Sequence, residues 1–402
     1  MHMKRFVGAL VALALTTAGA AQAEKKYGPG VTDSSIKIGQ TMPYSGPASA
    51  YGVVGKAEVA YMAMVNEQGG VNGRKIDLLS LDDGYSPPKT VEQTRRLVEQ
   101  EEVLMIYQSL GTPTNTAIQK YLNAKKVPHI FLATGAAKWG EPKTFPWTMG
   151  FNPTYQIEAR IYAQHILKTR PDAKIAVIYQ NDDFGKDYIV GFKGMLGDKA
   201  AKMIVAEQTY EVTDPTVDSQ VVSLKSSGAD MLLTFATPKF AAQVIRKVGE
   251  LGWKPTHYLT NVSASVSAVL QPAGLDKATG IISATYFKDP TDPQWKNDPA
   301  VKTWEAWMKK YHPSGSLEDG LNVYGYIAGQ ALVHLLKACG DDLSRENIMR
   351  QAANLKKVEL ALLLPGVTLN TSPADFYPIG EMQLAKFDGK RWVLFGEILS
   401  GR

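Results

Sequence analysis

Residues 103–139 read VLMIYQSLGTPTNTAIQKYLNAKKVPHIFLATGAAKW and contain two strand–loop units in succession. The short apolar runs Val103–Tyr107 and His129–Ala133 have the length and composition of buried parallel strands. Between them, Thr112 is placed to cap a helix that starts at Pro113. Both strands end in loops of small residues, which let a ligand approach the backbone closely. Because ligands of parallel α/β sheets bind at the carboxyl ends of the strands, these two loops are the first candidate for a binding site.

The same alternation of strand and helix patterns extends over the rest of the chain. It predicts strands at Ile36–Thr41 and Lys75–Leu81, and it restarts after a pause at residues 148–155, which we interpret as a crossing into a second lobe. The predicted fold class is therefore α/β, with two doubly wound parallel-sheet lobes joined by three crossings. The expected ranges are 24–150 plus 284–365 for lobe 1, and 151–283 plus 366–402 for lobe 2.

The C-terminal part of the chain supplies the two other crossings. Ile281–Tyr286 is expected to be a strand that returns the chain to lobe 1, where two long helices follow. Residues 364–371 would form the last crossing, and the tail would close as two strands joined by a tight turn at Asp388-Gly389. Two lobes joined in this way form a cleft that can close around a small molecule.

The first 23 residues have the pattern of a secretory leader. Lys4 and Arg5 precede a short apolar run, and Ala21-Gln22-Ala23 is an A-x-A cleavage site, so we predict export with cleavage after Ala23. The alternative is a transmembrane anchor, but the apolar run is short for a membrane span. Removing the leader leaves 44 − 2 = 42 basic against 39 acidic residues, a net charge of +3. The sequence contains no basic stripe with interleaved aromatic residues, so it gives no indication of nucleic-acid binding.

The motifs of several catalytic classes are missing from the sequence. There is no G-x-S-x-G elbow, no P-loop, no H-E-x-x-H and no C-x-x-C, and the six histidines are scattered. Asp82-Asp83 could serve as a metal or acid–base pair, but carboxylates between a strand end and a helix are more often solvated or capping groups. Nothing in the sequence therefore argues for an enzyme, a metal or a cofactor.

Several short stretches, in this order and spacing, resemble the type I periplasmic solute-binding proteins, and more narrowly the leucine/isoleucine/valine-binding branch of ABC importers. The similarity covers essentially the whole mature chain. The stretches that carry it are Met42–Ala48 with Tyr51-Gly52, Val65–Gly73, Asp82-Asp83 with Pro87, Asn181–Gly185 and Val244–Gly252. The resemblance implies a periplasmic, non-catalytic clamp, monomeric by family expectation, that delivers its ligand to a membrane permease.

The resemblance also implies site residues. Amino-acid-binding members hold the ligand carboxylate with a hydroxyl and backbone N–H groups, which by position would come from Thr112, Ala133 and Gly135. The usual hydroxyl side chain is absent at Gly135, although Thr134 adjoins it. An aromatic residue of the second lobe usually packs on the ligand, and Phe184 occupies that position.

Two departures from the family pattern concern the ligand ammonium. Members that bind amino acids use a carboxylate after the Tyr258–Thr260 strand, whereas this chain has Asn261-Val-Ser-Ala-Ser265, without an acid. The second ammonium position, often a tyrosine, is Thr237. Burying an ammonium without a carboxylate would be costly. The small disulfide loop of the family is also missing.

These departures lead to a hypothesis about the ligand. The half of the site that holds an anion is retained and the half that holds a cation is not, which favours a carboxylate without an amine. Aromatic walls suit a flat apolar body, so we expect a benzoate- or cinnamate-type acid. The alternatives are a branched-chain or other amino acid, a small amide, or a ligand-sensing role. The aromatic residues expected to line the cleft are Tyr44, Tyr155, Phe184 and Tyr324.

Overall fold

The computed structural model describes residues 25–401, so the predicted leader lies outside the described residues. The strands are β1 (Lys26–Tyr27), β2 (Ser35–Met42), β3 (Lys75–Asp82), β4 (Ile106–Tyr107), β5 (His129–Leu132), β6 (Thr148–Gly150), β7 (Ile175–Gln180), β8 (Ile204–Tyr210), β9 (Met231–Phe235), β10 (Thr256–Leu259), β11 (Ile282–Thr285), β12 (Asp342–Leu343), β13 (Glu381–Phe387) and β14 (Trp392–Ser400).

The helices alternate with these strands in both lobes. They are α1 (Gly52–Glu67), α2 (Pro87–Arg95), α3 (Thr112–Ala124), α4 (Tyr155–Thr169), α5 (Asp183–Leu196), α6 (Ala200–Met203), α7 (Asp218–Ser226), α8 (Pro238–Glu250), α9 (Gln271–Ala273), α10 (Leu275–Ala278), α11 (Pro299–Tyr311), α12 (Gly320–Cys339) and α13 (Arg345–Ala352).

The first sheet has the strand order β3-β2-β4-β5-β6, and all its neighbouring strands are parallel. Its central strands β4 and β5 are fully buried and mostly apolar, because helices cover both faces of a parallel sheet. The chain reverses its direction of travel across the sheet between β2 and β4. In doubly wound sheets, ligands bind outside the carboxyl ends of the strands at such a switch point.

The second sheet repeats this arrangement in the order β14-β13-β11-β10-β9-β7-β8. Strands β7 to β11 are parallel, and the β13–β14 hairpin adds two antiparallel strands at one edge. One expectation is corrected here, because Ile281–Tyr286 does not return to the first lobe as a strand. Residues Ile282–Thr285 pair with β10 and β13, so the chain leaves the second lobe only after Thr285.

Helices α11 and α12 follow this crossing and belong to the first lobe, where α12 packs against α1. The chain then crosses a third time to form β13 and β14 in the second sheet. The two-lobe α/β architecture with three crossings is therefore confirmed. One buried apolar cluster extends through both lobes and includes the lone cysteine, Cys339. None of the helices between residues 25 and 401 combines the length and apolarity needed to cross a bilayer.

Candidate functional site

A cavity lies between the two lobes at the carboxyl ends of strands from both sheets. The space within it that the centre of a water-sized sphere can occupy is about 60 Å³. Its walls are formed by Tyr51, Val54, Tyr85, Leu110, Gly111, Ala133, Asn152, Tyr155, Phe184, Thr237, Asn261, Val262, Tyr286, Phe287, Leu321 and Tyr324.

The wall of this cavity is aromatic and uncharged. Among the described residues that form it, none is an aspartate, glutamate, lysine, arginine or histidine. Seven of them carry aromatic rings, and the polar groups are hydroxyls, amides and backbone atoms. A flat apolar ligand body would therefore meet rings on several sides, and a charged ligand group would have to be stabilised by dipoles and hydrogen bonds.

The N-terminus of α3 differs from the sequence prediction, which placed Thr112 at the N-cap. Gly111 is the residue that caps α3, with φ of 101°, and Thr112 is already the first helical residue. Glycine adopts this left-handed conformation without strain, and it occupies the N-cap position without a side-chain hydrogen bond to the helix. The first backbone N–H groups of α3 have no acceptor within the helix and carry positive partial charge beside the cavity wall at Gly111.

Thr112 and Thr134 lie directly behind this wall, and neither side chain lines the cavity. Their hydroxyl oxygens are 2.6 Å apart, and the Tyr155 hydroxyl donates to Thr134 Oγ1 at 3.2 Å. Gly135 also lies behind the wall, where its carbonyl accepts a hydrogen bond from Tyr155 N at 2.7 Å. The two strand-end loops of the opening sequence stretch are thus joined to each other and to Tyr155. Burial raises the pKa of Tyr155 to about 12, so its hydroxyl stays protonated.

The second lobe contributes Phe184, Thr237 and Asn261 to the cavity wall. The Phe184 ring is buried and meets the Tyr155 ring edge-on, with ring centres 5.1 Å apart. Thr237 precedes α8, and its hydroxyl donates to Gln180 Oε1 at 3.2 Å. Asn261 follows β10, and its backbone N donates to the buried carboxylate of Glu158 at 2.7 Å.

Tyr324 closes the cavity from the first lobe. Its ring lies edge-on to Phe151, and its hydroxyl is 2.7 Å from Asn152 Oδ1 and 3.0 Å from Gln108 Oε1. This contact joins α12 to the first crossing, where Asn152 also lines the cavity. The wall on this side is therefore held by hydrogen bonds between residues far apart in the sequence.

The predicted site residues fall into two groups in the structure. Ala133, Tyr155, Phe184, Thr237, Asn261 and Tyr324 line the cavity, whereas Thr112, Thr134, Gly135 and Tyr44 do not. Tyr44 is half-buried, and its hydroxyl bonds Ser80 at 2.6 Å. Tyr51, from the same loop, lines the cavity instead. Sequence reasoning also missed Tyr85, Asn152, Tyr286 and Phe287, and it gave Glu158 no role.

The two lobes touch each other at the edge of the cavity. Lys138, after β5, forms an ion pair with Asp183, the first residue of α5, at 2.6 Å. Beside it, Ala137 N donates to Asp187 Oδ2 at 2.9 Å. These contacts bring the loop after β5 against the start of α5, so the cleft is closed on this side.

Comparison with known proteins agrees with this architecture. Residues 35–391 match the family model described as periplasmic binding protein. The Leu/Ile/Val-binding protein homolog 7 of Brucella abortus (strain 2308) is 27% identical over 328 residues, which cover 77% of this chain and 78% of that protein.

Two solved structures share the fold. A branched chain amino acid ABC transporter protein from Thermus thermophilus, with bound valine, has a TM-score of 0.82 at 16% identity and is matched over 92% of this chain and 97% of its own. A fatty acid ABC transporter substrate-binding protein from Thermomonospora curvata has a TM-score of 0.76 at 24% identity, with 94% and 95% covered. The chain therefore belongs to the periplasmic binding protein family, as a type I member of its Leu/Ile/Val-binding branch.

Proposed function

We propose that this protein is the substrate-binding component of an ABC importer, and that it captures a small carboxylate of the benzoate or cinnamate type between its lobes. In this proposal the leader is cleaved after Ala23, the mature chain acts as a monomer in the periplasm, and the closed clamp delivers its ligand to a membrane permease. Its role is capture and release, without a catalytic step, a metal or a cofactor.

The observation that carries the ligand class is the uncharged wall of the cavity. A ligand ammonium would meet no carboxylate among the described wall residues, and an unpaired buried ammonium is costly. A ligand carboxylate would lie beside Gly111, where the free N–H groups at the start of α3 favour an anion. This asymmetry favours a carboxylate without an amine.

The aromatic part of the proposal rests on the shape of the wall. The rings of Tyr155 and Phe184 stand at 80° to each other, and Tyr51, Tyr85 and Tyr286 line the same cavity. Rings in offset or edge-to-face contact contribute more than their buried area alone. A flat aromatic acid would make such contacts on several sides, whereas a branched aliphatic side chain would leave them unused.

A second candidate is a branched-chain amino acid. Two observations favour it: the relatives are named Leu/Ile/Val-binding proteins, and a structural neighbour contains valine. The buried carboxylate of Glu158, directly behind Asn261, could supply negative charge on the side where a ligand ammonium would lie. Under this alternative, Glu158 would replace the missing acid of the wall.

The substitution Asn261→Asp tests the ligand class, because it restores an acid at the position where this chain has none. We expect it to weaken cinnamate binding at least about tenfold, since like charges about 8 Å apart at an effective dielectric constant of about 20 repel by ~2 kcal/mol. Dissociation constants measured by isothermal titration calorimetry check this. Asn354→Asp, at an exposed position, is the matched control. Unchanged cinnamate affinity in Asn261→Asp would contradict the proposed orientation of the ligand.

A further inference from the structure

Glu158 is a buried carboxylate that the proposed site does not otherwise use. Glu158 is 2% exposed, and the groups that donate hydrogen bonds to its carboxylate are all neutral. Oε1 accepts from Asn261 N and from the Tyr162 hydroxyl, each at 2.7 Å, and Oε2 accepts from the Tyr188 hydroxyl at 2.7 Å. Burying a carboxylate without a cationic partner costs stability, so a carboxylate at this position suggests a functional role.

The position of Glu158 connects three parts of the cavity wall. It lies one helical turn after Tyr155 on α4, so both residues share one face of that helix. Tyr188, which bonds Oε2, stacks on Tyr155 with ring centres 4.7 Å apart. Asn261, which bonds Oε1, lines the cavity from the loop after β10. Any change in the charge of Glu158 therefore acts on groups that touch the ligand space.

The charge of Glu158 also acts on side chains of the cavity wall. Burial raises the pKa of Tyr286, and the Glu158 charge raises it further. The pKa of Tyr51 is raised chiefly by burial as well, with a smaller contribution from Glu158. Both tyrosines line the cavity. Since the described wall carries no charge of its own, a buried charge this close has a large influence on which ligand charges fit.

We propose that Glu158 sets the charge preference of the cleft and makes it depend on pH, an inference that rests on the proposed function and deepens it. Ionised Glu158 opposes a purely anionic ligand and favours one that also carries an ammonium on the Asn261 side. Protonated Glu158 loses both effects and admits a carboxylate without an amine. Glu158 is thus a positioning and specificity residue that acts through Asn261, Tyr155 and Tyr188.

Among the titratable groups of this cluster, Glu158 is the one that changes its charge near neutral pH. The titratable groups facing it are Tyr155 and Tyr162 of α4, Tyr188 of α5 and Tyr286 after β11, and burial raises the pKa of each. Burial raises the pKa of Glu158 to about 7, against the hydrogen bonds from Tyr162, Asn261, Tyr188 and Thr260 that lower it. The tyrosines therefore stay neutral while Glu158 titrates.

The decisive experiment compares two ligands that differ by one amine. Binding of 3-phenylpropanoate and of phenylalanine is measured by calorimetry at about pH 6 and about pH 8.5, on either side of the Glu158 transition. In the wild-type protein, we expect 3-phenylpropanoate affinity to fall about tenfold as pH rises, and phenylalanine to gain relative to it; a tenfold change is ~1.4 kcal/mol. In Glu158→Gln, both profiles should become flat, while the exposed control Glu346→Gln should follow the wild type. Identical pH profiles in Glu158→Gln and wild type would overturn the inference.

A second variant and a ligand-free measurement cover the cases in which binding cannot be compared. Tyr188→Phe removes a hydrogen-bond donor that favours the ionised form of Glu158, so it should move the pH transition of ligand binding upwards.

Without ligand, the raised pKa of Glu158 stabilises the folded state below the pKa of 4.5 in the unfolded chain, and this contribution is lost as pH rises through about 7. Wild-type stability should therefore decrease relative to Glu158→Gln over that range.

These arms separate the failure of the inference from the failure of the proposed function. If neither ligand binds the wild-type protein, the proposed ligand class fails, and the ligand-free comparison then decides on Glu158. If the free energies of unfolding of wild type and Glu158→Gln diverge as pH rises, this would support the titration of Glu158 beside the cavity. If the free energy of unfolding depends on pH in the same way in wild type, Glu158→Gln and Tyr188→Phe, the inference would be overturned.

Discussion

Replacing Tyr155 by alanine is expected to weaken the binding of cinnamate by about 30-fold or more. Tyr155 lines the cavity, stacks on Tyr188 and meets Phe184 edge-on, and its hydroxyl bonds Thr134 of the other lobe at 3.2 Å. Removing the ring takes away a ligand-facing wall and a contact between lobes. Truncation of a central aromatic contact typically costs ~2 kcal/mol or more. Calorimetry with the purified variant gives the dissociation constant directly.

Tyr155→Phe is the control for this prediction, because it keeps the ring and removes only the hydroxyl. We expect it to lose no more than about fivefold in affinity, the equivalent of one hydrogen bond worth ~1 kcal/mol. A Tyr155→Ala variant that is folded and binds cinnamate as tightly as the wild type would remove Tyr155 from the site. Equal losses in both variants would mean that the hydroxyl, and not the ring, matters for binding.

The second large effect is expected from Gly111→Ala, at the loop that leads into α3. Gly111 has φ of 101°, and an added Cβ would lie 2.5 Å from the Tyr85 ring and 2.7 Å from Thr114 Oγ1. Left-handed backbone costs an alanine ~1–2 kcal/mol, and overpacking costs ~1–3 kcal/mol more. We therefore expect a loss of about 2–5 kcal/mol in the free energy of unfolding, measured by urea denaturation, together with at least tenfold (~1.4 kcal/mol) weaker cinnamate binding.

Gly252→Ala separates these two contributions. Gly252 also has positive φ, 61°, but an added Cβ there would have no atom within 4 Å. It should therefore show the backbone cost alone and leave ligand binding unchanged. If Gly111→Ala were no less stable than Gly252→Ala and bound cinnamate normally, the close packing of Tyr85 on this loop would be contradicted.

The fold was predictable because its signals are local. A run such as Met231–Phe235 is apolar except for Thr234 and fully buried, and its length distinguishes a strand from a helix without reference to the rest of the chain. The order of such runs and helical patterns is sufficient to predict two doubly wound sheets. The partner of a strand is a longer-range property, which is why Ile282–Thr285 was placed in the wrong lobe.

The wall of the site was predictable only in part, because it depends on how loops fold. Tyr44 and Tyr51 lie in the same loop after β2, and composition does not distinguish them. The short helical turn Ser49–Tyr51 places Tyr51 in the cavity wall, while the Tyr44 hydroxyl bonds Ser80. The sequence shows both tyrosines but not this turn.

Glu158 illustrates a different limit. Its partners Tyr188 and Asn261 lie 30 and 103 residues further along the chain, so no local pattern reveals that the carboxylate is buried. One signal was available, since Glu158 falls three residues after Tyr155 and on the same face of α4. An acid on the buried face of an amphipathic helix is a candidate for a functional role.

The most direct test of the proposed ligand class is the thermal unfolding of the purified mature protein against carboxylates with and without an amine. A ligand at about 100 times its dissociation constant stabilises the folded state by ~2.7 kcal/mol, which gives a clear rise in melting temperature. We predict a rise with benzoate or cinnamate and none with leucine or valine. A rise with leucine or valine, and none with the aromatic acids, would contradict the proposal and indicate that a carboxylate behind the wall, such as Glu158, holds a ligand ammonium.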